Sequence, residues 1–205
     1  MKSTAERVLD AAEDLFAEKG YSATSLGDVA DRVGIRSPSL YNHFRNKEAL
    51  YLAVLERLLE RFNEPLAELL SEPVTRQRIL SWLEQMIRLH HRYPNLARLL
   101  QHAALSGGPH TSELVERMFR PIFEAPPPVN NEDLFTLGDA TLQPWAVMAL
   151  NNIVMSYITM APMYSDILGM DPFSSAALEH QTELILRLAR KVMGMGNDDV
   201  DRPAS

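Results

Sequence analysis

The stretch SLGDVADRVGIRSPSLYNHFRNKEAL, residues 25–50, decides the class of fold. Its first half predicts a short helix that is capped by Thr24 or Ser25 and ends at Gly34, because glycine readily adopts the left-handed conformation that closes a helix. The apolar residues at helical spacing within it are Leu26, Val29, Ala30 and Val33. The second half predicts another short helix, with Ser37 as its cap and Pro38 at the first helical position. Two short helices joined by a tight turn define a helix-turn-helix.

A helix-turn-helix can place its second helix in the major groove of DNA, with the first residues of that helix facing the bases. The charge pattern fits this use, since residues 32–47, here called the basic stripe, contain four basic residues and no acidic one. They are Arg32, Arg36, Arg45 and Lys47. Such a stripe attracts a phosphate backbone. Periodicity alone gives equal weight to an ordinary three-helix cluster, in which Tyr41 and Phe44 are core aromatics.

The composition of the chain predicts a helical globular protein. Of 205 residues, 46% are hydrophobic and 23% are charged, which excludes a disordered or low-complexity chain. Glycine and proline, at 9 and 13 residues, are few for a protein that turns at every strand end. There is no cysteine, which excludes disulfides and cysteine nucleophiles. We expect an all-α fold with an N-terminal three-helix helix-turn-helix domain and a C-terminal helical bundle.

The charge of the chain divides it into two parts. Residues 1–47 contain seven Lys or Arg and seven Asp or Glu, whereas residues 48–205 carry the whole net charge of −7. We therefore predict a DNA-binding domain at residues 1–47 and an effector-binding and dimerisation domain at residues 48–205. The N-terminal sequence MKSTAERVLDAAEDLF is amphipathic and lacks the apolar run of a signal peptide, which favours a cytoplasmic location.

The run GIRSPSLYNHFRNKEAL, residues 34–50, resembles the DNA-binding domain of the tetracycline-repressor (TetR) family of transcriptional regulators. Upstream residues also fit that family: Phe16, Gly20, Tyr21, Thr24, Val29 and Ala30. The resemblance covers about residues 4–52, a quarter of the chain. It implies a ligand-responsive regulator, expected to be a repressor, that binds an inverted-repeat operator in double-stranded DNA as a homodimer.

The resemblance also implies roles for individual residues in and around the second helix of the motif. The positions that approach bases in the family are matched by Ser37, Pro38, Ser39, Asn42 and His43. Tyr41 and Lys47 match positions that hold phosphates, which suits a phenol hydroxyl and an ammonium group. Arg36, in the basic stripe, is a further predicted DNA contact. The chain departs from the family at Gly27, where many members have a basic or polar residue, so no contact is expected there.

Beyond the motif, apolar periodicity predicts a long helix that starts after Asn46 and meets Pro65. Proline lacks the backbone N–H and clashes with the carbonyl four residues earlier, so the helix should end or kink near Glu64. A plain helix end and a hinge between two domains both fit this pattern. Further helices are predicted at about residues 76–91, 95–103 and 174–193, and a surface loop at residues 125–138.

Twenty-six consecutive residues, 140–165, carry no charge. This length fits a membrane-spanning helix. The prolines Pro144 and Pro162, the pair Asn151–Asn152 and the acidic flanks instead favour a buried helix, which packs on its own domain and on a second copy of the chain. The final helix has a companion apolar stripe, which predicts a dimer interface at Ala177, Leu178, Leu184, Ile185, Leu188 and Val192.

The resemblance implies an effector pocket, because certain residues fall on helices that line the effector cavity in similar regulators. They are Trp82, Met86, His90, Leu99, His102, Met118, Phe119, Phe123, Trp145, Met148, Asn152 and Met155. Methionine suits an adaptable pocket for a mostly apolar small molecule. The alternative is that these side chains belong to the domain core. No metal site is predicted, because adjacent His90 and His91 point to different sides of a helix and no acidic cluster lies nearby.

The sequence lacks the common motifs of catalysis. It contains no G-x-S-x-G, P-loop, G-x-G-x-x-G or H-E-x-x-H pattern, so no enzyme activity and no cofactor are predicted. Two alternatives stay open: a helical enzyme that encloses a small molecule, and a protein-interaction module with a degenerate helix-turn-helix. Binding to palindromic DNA separates the regulator from both, and turnover of a bound small molecule would identify the enzyme.

Overall fold

A computed structural model describes residues 2–106, 111–124 and 140–195 of the chain. Over these residues the fold is all-α, as the sequence predicts. The helices are α1 (Thr4–Ala23), α2 (Leu26–Val33), α3 (Ser37–Tyr41), α4 (Lys47–Leu70), α5 (Arg76–Arg92), α6 (Asn95–Ser106), α7 (Thr111–Leu114), α8 (Arg120–Phe123), α9 (Gln143–Leu168) and α10 (Ser175–Val192). A π-helical turn (Val115–Phe119) joins α7 to α8. The loop predicted at residues 125–138 lies outside the described residues.

The caps of the first helices form as the sequence indicates. The Ser3 hydroxyl accepts the Glu6 backbone N–H at 3.2 Å, and the Glu6 carboxylate accepts the Ser3 N–H at 2.6 Å. Ser25 and Asp28 make the same reciprocal pair at the start of α2. The backbone hydrogen bonds, followed by those from the hydroxyls, lower the pKa of both carboxyls. Asn46 accepts a backbone N–H at 2.7 Å at the start of α4.

Lys19 followed by Gly20 is a sequence pattern that predicts the end of the first helix, but α1 continues past both residues. Gly20 leaves helical geometry, at φ 77° and ψ 171°, and the chain then stays helical to Ala23. Glycine adopts this φ at little cost. Its α-carbon also faces the ring of His102 on α6, and a β-carbon at position 20 would lie 3.0 Å from the His102 Nδ1. The predicted helix end is therefore a kink that allows a close approach of α6.

Two other helix boundaries differ from those that the sequence predicts. α3 begins at Ser37, and Arg36 occupies the cap position with no side-chain cap, so the assignment of Ser37 as cap is wrong by one residue. α4 runs through Pro65 to Leu70, so a plain helix end at Pro65 is wrong. Pro65 still has no N–H to donate to the Arg61 carbonyl, which leaves a weak point inside α4.

The helices form two compact units. One contains Met1–Asn63 and Tyr93–Pro121, and the other contains Glu64–Arg92 and Ile122–Ser205. The division falls within α4, after Asn63 and two residues before Pro65, so that Pro65 belongs to the second unit. The functional boundary between residues 47 and 48, which the charge pattern predicts, stays a prediction.

In the first unit, α1 packs against both α2 and α6. The fully buried core side chains include Val8, Leu15, Phe16, Leu40, Leu50, Leu58, Leu96 and Leu99. The Tyr51 ring on α4 meets the rings of Phe16 and Tyr21 edge-on, with centroids 5.0 and 4.9 Å apart. Such aromatic pairs add about 0.5–1.5 kcal/mol each beyond the area they bury. This aromatic cluster joins the C-terminal part of α1 to α4.

A buried carboxylate, Glu13, lies at the centre of an ion-pair network in the same unit. Arg57 on α4 binds Glu13 at 2.6 Å and Asp10 at 2.7 Å. Asn95 on α6 donates to Glu13 at 3.2 Å and to Asp14 at 3.0 Å. Burial alone raises the pKa of Asp10, but hydrogen bonds from two cations outweigh it, and the pKa is lowered overall. The network connects α1, α4 and α6.

In the second unit, α5, α9 and α10 pack together. Its core includes Leu66, Leu83, Ile87, Val154, Ile185, Ala189 and Met193. Residues Pro144–Leu168 of α9 are long and apolar enough to cross a membrane, by length and composition, with a mean hydropathy of 1.3. The unit buries one stripe of α9, at Leu150, Val154, Ile158 and Ala161, and leaves other apolar side chains exposed. The predicted burial therefore holds for one face of this helix within a single chain.

Candidate nucleic-acid interface

The turn between α2 and α3 has the tight geometry of a helix-turn-helix. Gly34 is left-handed, at φ 75° and ψ 37°, and its N–H binds the Ala30 carbonyl at 2.9 Å. The Ile35 N–H reaches the same carbonyl at 3.0 Å. Arg7 on α1 donates to the Val33 carbonyl at 2.6 Å, which satisfies an acceptor that has no donor within α2. These contacts fix the direction in which α3 leaves the turn.

α3 buries one side chain and exposes most of the others. Leu40 is fully buried and anchors the helix, whereas Tyr41 is 55% exposed. The further exposed residues in and beside this helix are Arg36, Ser37, Pro38, Ser39, Asn42 and His43. The structure thus brings the predicted DNA contacts, apart from Lys47, together on the solvent-facing side of one short helix. Hydroxyl, amide and imidazole groups on such a face can reach base edges and phosphates.

Lys47, the remaining predicted contact, is bound inside its own unit. Its Nζ donates to the carbonyls of Tyr21 at 2.9 Å, Thr24 at 3.0 Å and Ser22 at 3.4 Å. It also lies 4.4 Å from the centroid of the Tyr21 ring, within the range of a cation–π contact. The ammonium therefore closes the C-terminal end of α1, where backbone carbonyls lack helical donors.

Arg45 is a candidate that the residue-by-residue resemblance leaves out. It belongs to the basic stripe, it is exposed, and it makes no hydrogen bond or ion pair with any described residue. The Arg36 side chain is likewise exposed and has no hydrogen-bond or ion-pair partner among the described residues, although the Arg36 carbonyl accepts the Ser39 N–H at 2.8 Å. Arg32, in contrast, pairs with Glu18 at 3.3 Å. The signal that could have identified Arg45 is the stripe itself, since an uncompensated cation there is available to phosphate.

A second exposed surface is apolar and lies on α9 and α10. Two predicted interface residues belong to it, Leu184 at 57% and Leu188 at 38% exposed. Apolar side chains of α9 extend it, namely Trp145, Met148, Ile153, Met163 and Ile167. We call these seven residues the apolar face. The other predicted interface residues, Ala177, Leu178, Ile185 and Val192, are buried in or packed against the core of their own unit.

A groove of about 600 Å³ runs between α9 and α10 and includes part of the apolar face, at Ile153 and Leu184. Asn152, Tyr157 and Gln181 contribute polar atoms to its lining. Asn152 also belongs to the predicted effector pocket. Among the described residues that line the groove there is no Asp, Glu, Lys or Arg, which suits an uncharged occupant.

The other residues predicted for an effector pocket are spread over both units. In the second unit, Met86 and His90 are buried, Trp82 and Met155 are half-buried, and Trp145 and Met148 are exposed. Leu99 is buried in the core of the first unit, and His102 lies against Gly20 there. The side chains of Met118, Phe119 and Phe123 lie outside the described part of the structure. The predicted pocket therefore stays a prediction.

Two adjacent histidines in the second unit have different surroundings. His90 is buried and its Nδ1 lies 2.8 Å from the Met86 carbonyl, and burial lowers its pKa to about 4. His91 is bonded to the Gln181 amide oxygen and stacks on Tyr157 with centroids 5.6 Å apart, and burial also lowers its pKa. Among the described residues, no group of three or more His, Cys, Asp or Glu is arranged to hold a metal ion.

Comparison with known proteins identifies the N-terminal region. Residues 8–54 match the family model for bacterial regulatory proteins of the tetR family. The transcriptional repressor ComR of Escherichia coli K12 is 47% identical over 57 residues, 28% of this chain and 27% of ComR. The transcriptional regulator RutR of the same strain is 30% identical over 102 residues, 50% of this chain and 48% of RutR. The chain thus spans about a quarter to a half of the length of these curated relatives.

The fold likeness extends over most of the chain. The crystal structure of Mycobacterium smegmatis AmtR superposes with a TM-score of 0.67 and 25% identity, over 96% of this chain and 89% of that one. An all-helical chain with a tight α2–α3 turn and an exposed α3 is a helix-turn-helix protein. More narrowly, residues 8–54 belong to the TetR family of bacterial regulatory proteins, as the resemblance of residues 34–50 predicts. The family consists of regulators rather than enzymes, which goes against the helical-enzyme alternative.

Proposed function

We propose that this protein is a cytoplasmic DNA-binding transcriptional regulator, a repressor, that binds an inverted-repeat operator as a homodimer. The observation that carries the proposal is the environment of α3, whose Leu40 is fully buried while its polar neighbours are exposed. A helix anchored in this way is rigid and presents its polar side chains outward. Among the relatives with the same motif, three are repressors or negative regulators by name and one of similar identity is an activator, and this majority favours repression here.

Individual residues have separate roles in this proposal. Ser37, Pro38, Ser39, Asn42 and His43 approach base edges in the major groove. Asn42 is suited to adenine, because its amide can donate and accept hydrogen bonds at once. The Tyr41 hydroxyl donates to a phosphate, and Arg36 contributes a charge at the start of the helix. Lys47 differs from these residues, because its ammonium is already bound within the chain.

Selection of bound sequences from a random DNA pool tests the proposal. We expect an inverted repeat whose half-sites lie about one helical turn, or a multiple of it, apart. The variant Leu40→Ala, which removes the anchor of α3 and leaves its polar face intact, should lose the preference. Arg88→Met, a change of an exposed arginine on α5, serves as the control and should select the same sequence. Recovery of no sequence preference by the wild type would refute the regulator.

The homodimer in this proposal forms through the apolar face. Its exposed leucines, isoleucines, methionines and tryptophan would stay in contact with water in a monomer, and exposed apolar patches of this kind mark protein interaction sites. The groove between α9 and α10 continues this surface. A second copy that packs its own apolar face here would cover both by two-fold symmetry. Sedimentation at micromolar concentration should show the dimer.

A mostly apolar small-molecule effector is the final part of the proposal. Trp82 supports it, because its indole N–H is buried and has no acceptor among the described residues. A buried donor without an acceptor costs about 1–3 kcal/mol, and a ligand oxygen next to the indole would recover this free energy. Half-buried Met155 on α9 belongs to the same unit and offers an adaptable apolar contact.

Nile red, an uncharged apolar dye with a ring carbonyl, is a suitable probe for the effector site. We expect saturable binding with blue-shifted emission and a change in operator affinity of roughly 5- to 150-fold, the usual range of allosteric coupling. Trp82→Phe should weaken binding of the dye, since it removes the indole donor and keeps an aromatic ring. Binding of the dye with no change in operator affinity would count against an effector role for its site.

A further inference from the structure

The four cations of the basic stripe divide into two pairs. Arg32 and Lys47 are engaged by the chain itself, through a carboxylate and through backbone carbonyls. The side chains of Arg36 and Arg45 are exposed and make no hydrogen bond or ion pair with any residue in the ranges 2–106, 111–124 and 140–195. A phosphate that approaches α3 therefore meets two available guanidinium groups.

The two available arginines flank α3. Arg36 directly precedes its first residue, Ser37, and Arg45 follows its last residue, Tyr41, by four positions. A guanidinium group can bind two phosphate oxygens through parallel hydrogen bonds and keeps its charge at all physiological pH values. A pair at the two ends of a five-residue helix would hold that helix to the DNA backbone on both sides.

Lys47 has little to gain from a phosphate. Its three N–H donors are matched by three carbonyl oxygens at 2.9, 3.0 and 3.4 Å, and the Tyr21 ring lies beneath the ammonium. A move to a phosphate would leave these carbonyls without donors at a helix end that carries partial negative charge. Lys47 is also the first residue of α4, so its contacts hold the start of α4 against the end of α1.

We infer that Arg36 and Arg45 hold the phosphates on either side of α3, and that Lys47 is a positioning residue that does not touch DNA. The inference rests on the proposed DNA-binding function. It changes the role that the family resemblance implies for Lys47, and it assigns a DNA contact to Arg45. The positioning acts through the short link of residues 42–46, which joins α3 to the clamped start of α4.

Salt dependence of operator binding separates the two roles. Affinity for the selected operator is measured over a range of salt concentrations for Arg36→Met, Arg45→Met and Lys47→Met, with Arg88→Met as the control for loss of one exposed charge. Each phosphate contact contributes about 0.9 to the slope of log affinity against log salt. Arg36→Met and Arg45→Met should each reduce the slope by about 0.9 per half-site, or about 1.8 per dimer.

Lys47→Met should keep the wild-type slope and instead lower the unfolding temperature by roughly 2–8 °C. Lys47→Arg extends the test, because it keeps the positive charge but replaces the compact ammonium group by a planar guanidinium group. It should also melt lower with an unchanged slope. A Lys47→Met protein that fails to fold supports the positioning role of Lys47, since removal of an exposed phosphate contact would leave folding intact.

Three results would overturn the inference. One is a reduced slope with unchanged melting for Lys47→Met, together with a wild-type slope and wild-type melting for Lys47→Arg. The second is a wild-type slope for both Arg36→Met and Arg45→Met. The third is a wild-type protein that does not bind DNA, which refutes both the proposed function and the phosphate contacts. In that case the melting temperatures of the Lys47 variants still decide whether Lys47 is a positioning residue.

Discussion

The exposed surface of α3 and the apolar face of α9 and α10 differ in the chemistry of their exposed side chains. Around α3, the exposed groups are hydroxyls, an amide and two arginines without partners among the described residues. On α9 and α10, the apolar face consists of leucines, isoleucines, methionines and a tryptophan that is 66% exposed. A polar, cationic surface suits a hydrated polyanion, and an apolar one suits a protein surface that excludes water. The chemistry of each surface thus indicates a different kind of partner.

The interiors of the two units differ in a similar way. The first unit buries a charged group, Glu13, with Arg57 at 2.6 Å. The second unit buries His90, whose Nδ1 lies 2.8 Å from the Met86 carbonyl, and burial lowers the pKa of His90 to about 4. The first arrangement gains stability from ionised groups, and the second requires a neutral imidazole. We therefore expect the two units to respond differently to acid.

The largest expected effect tests the apolar face. Leu184→Glu combined with Leu188→Glu would bury two carboxylates at the proposed interface, each at a cost of several kcal/mol. We expect the dimer to weaken at least a thousandfold, or about 4 kcal/mol, and operator binding to fall with it. Leu105→Glu, at a leucine of the first unit that is 82% exposed, is the matched control and should stay dimeric in sedimentation. A persistent dimer in the double variant would place the interface elsewhere.

The next effect tests the neutral interior of the second unit. His90 has a pKa of about 4 in the folded chain and about 6.5 when unfolded, so the unfolded state takes up its proton first as pH falls. Stability should be complete above pH 6.5 and fall by up to about 3 kcal/mol as pH approaches 4.

His90→Gln keeps a donor for the Met86 carbonyl and removes this titration. Its unfolding free energy, measured with denaturant from pH 7 to pH 4, should therefore decline less than that of the wild type. His180→Gln, which changes an exposed histidine on α10, should follow the wild-type curve. Parallel curves for all three proteins would mean that His90 is not the group that sets the acid sensitivity.

A smaller effect sharpens the division of roles on α3. Asn42→Ala should lower affinity by about 1–3 kcal/mol for operators with the preferred base at one position, and should leave affinity for other bases nearly unchanged. Tyr41→Phe should weaken all sequences alike, because a phosphate contact carries no sequence information. Binding to a set of single-base operator variants measures both. If Asn42→Ala lowers the affinity for all operator variants equally, Asn42 contacts the DNA backbone rather than a base.

The smallest effect concerns the junction within α4. Pro65→Ala supplies an N–H for the Arg61 carbonyl, so amide exchange around residues 61–69 should slow. If Pro65 is a hinge, the variant should change the effect of Nile red on operator affinity more than it changes operator affinity in the absence of the dye. Equal changes in both quantities would remove the hinge hypothesis.

Local signals in the sequence predict much of the fold. The reciprocal Ser3–Glu6 pair and the left-handed Gly34 each depend on residues within one or two turns, so a linear pattern reveals them. The path of α1 past Gly20 could not be predicted, because it depends on contact with His102, far along the chain. α4 likewise continues through Pro65, where burial of Pro65 and Leu66 in the second unit outweighs the lost hydrogen bond.

The candidate site was predictable to a different degree in each region. The exposed residues of α3 follow from a dense local motif. The partners of Lys47 are carbonyls 23–26 residues earlier, which no local pattern reveals. On α10, helical spacing groups Ile185 with Leu184, but one is fully buried in its own unit and the other is 57% exposed. Helical periodicity identifies the apolar stripe of α10. It does not show which side chains of that stripe are buried within the same chain and which stay exposed.

The kinked end of α1 against α6 has a consequence for protein engineering. The chain passes from one compact unit to the other three times, after residues 63, 92 and 121, so neither unit is a single continuous segment. A chimaera that joins the first 47 or 63 residues to another regulator would separate α1 from α6. The Glu13 carboxylate would lose Asn95, and Gly20 would face a foreign side chain in place of His102. An exchange of DNA-binding segments between relatives therefore succeeds only when α6 is transferred together with α1, or when the α6 surface of the recipient is made complementary to the transferred α1.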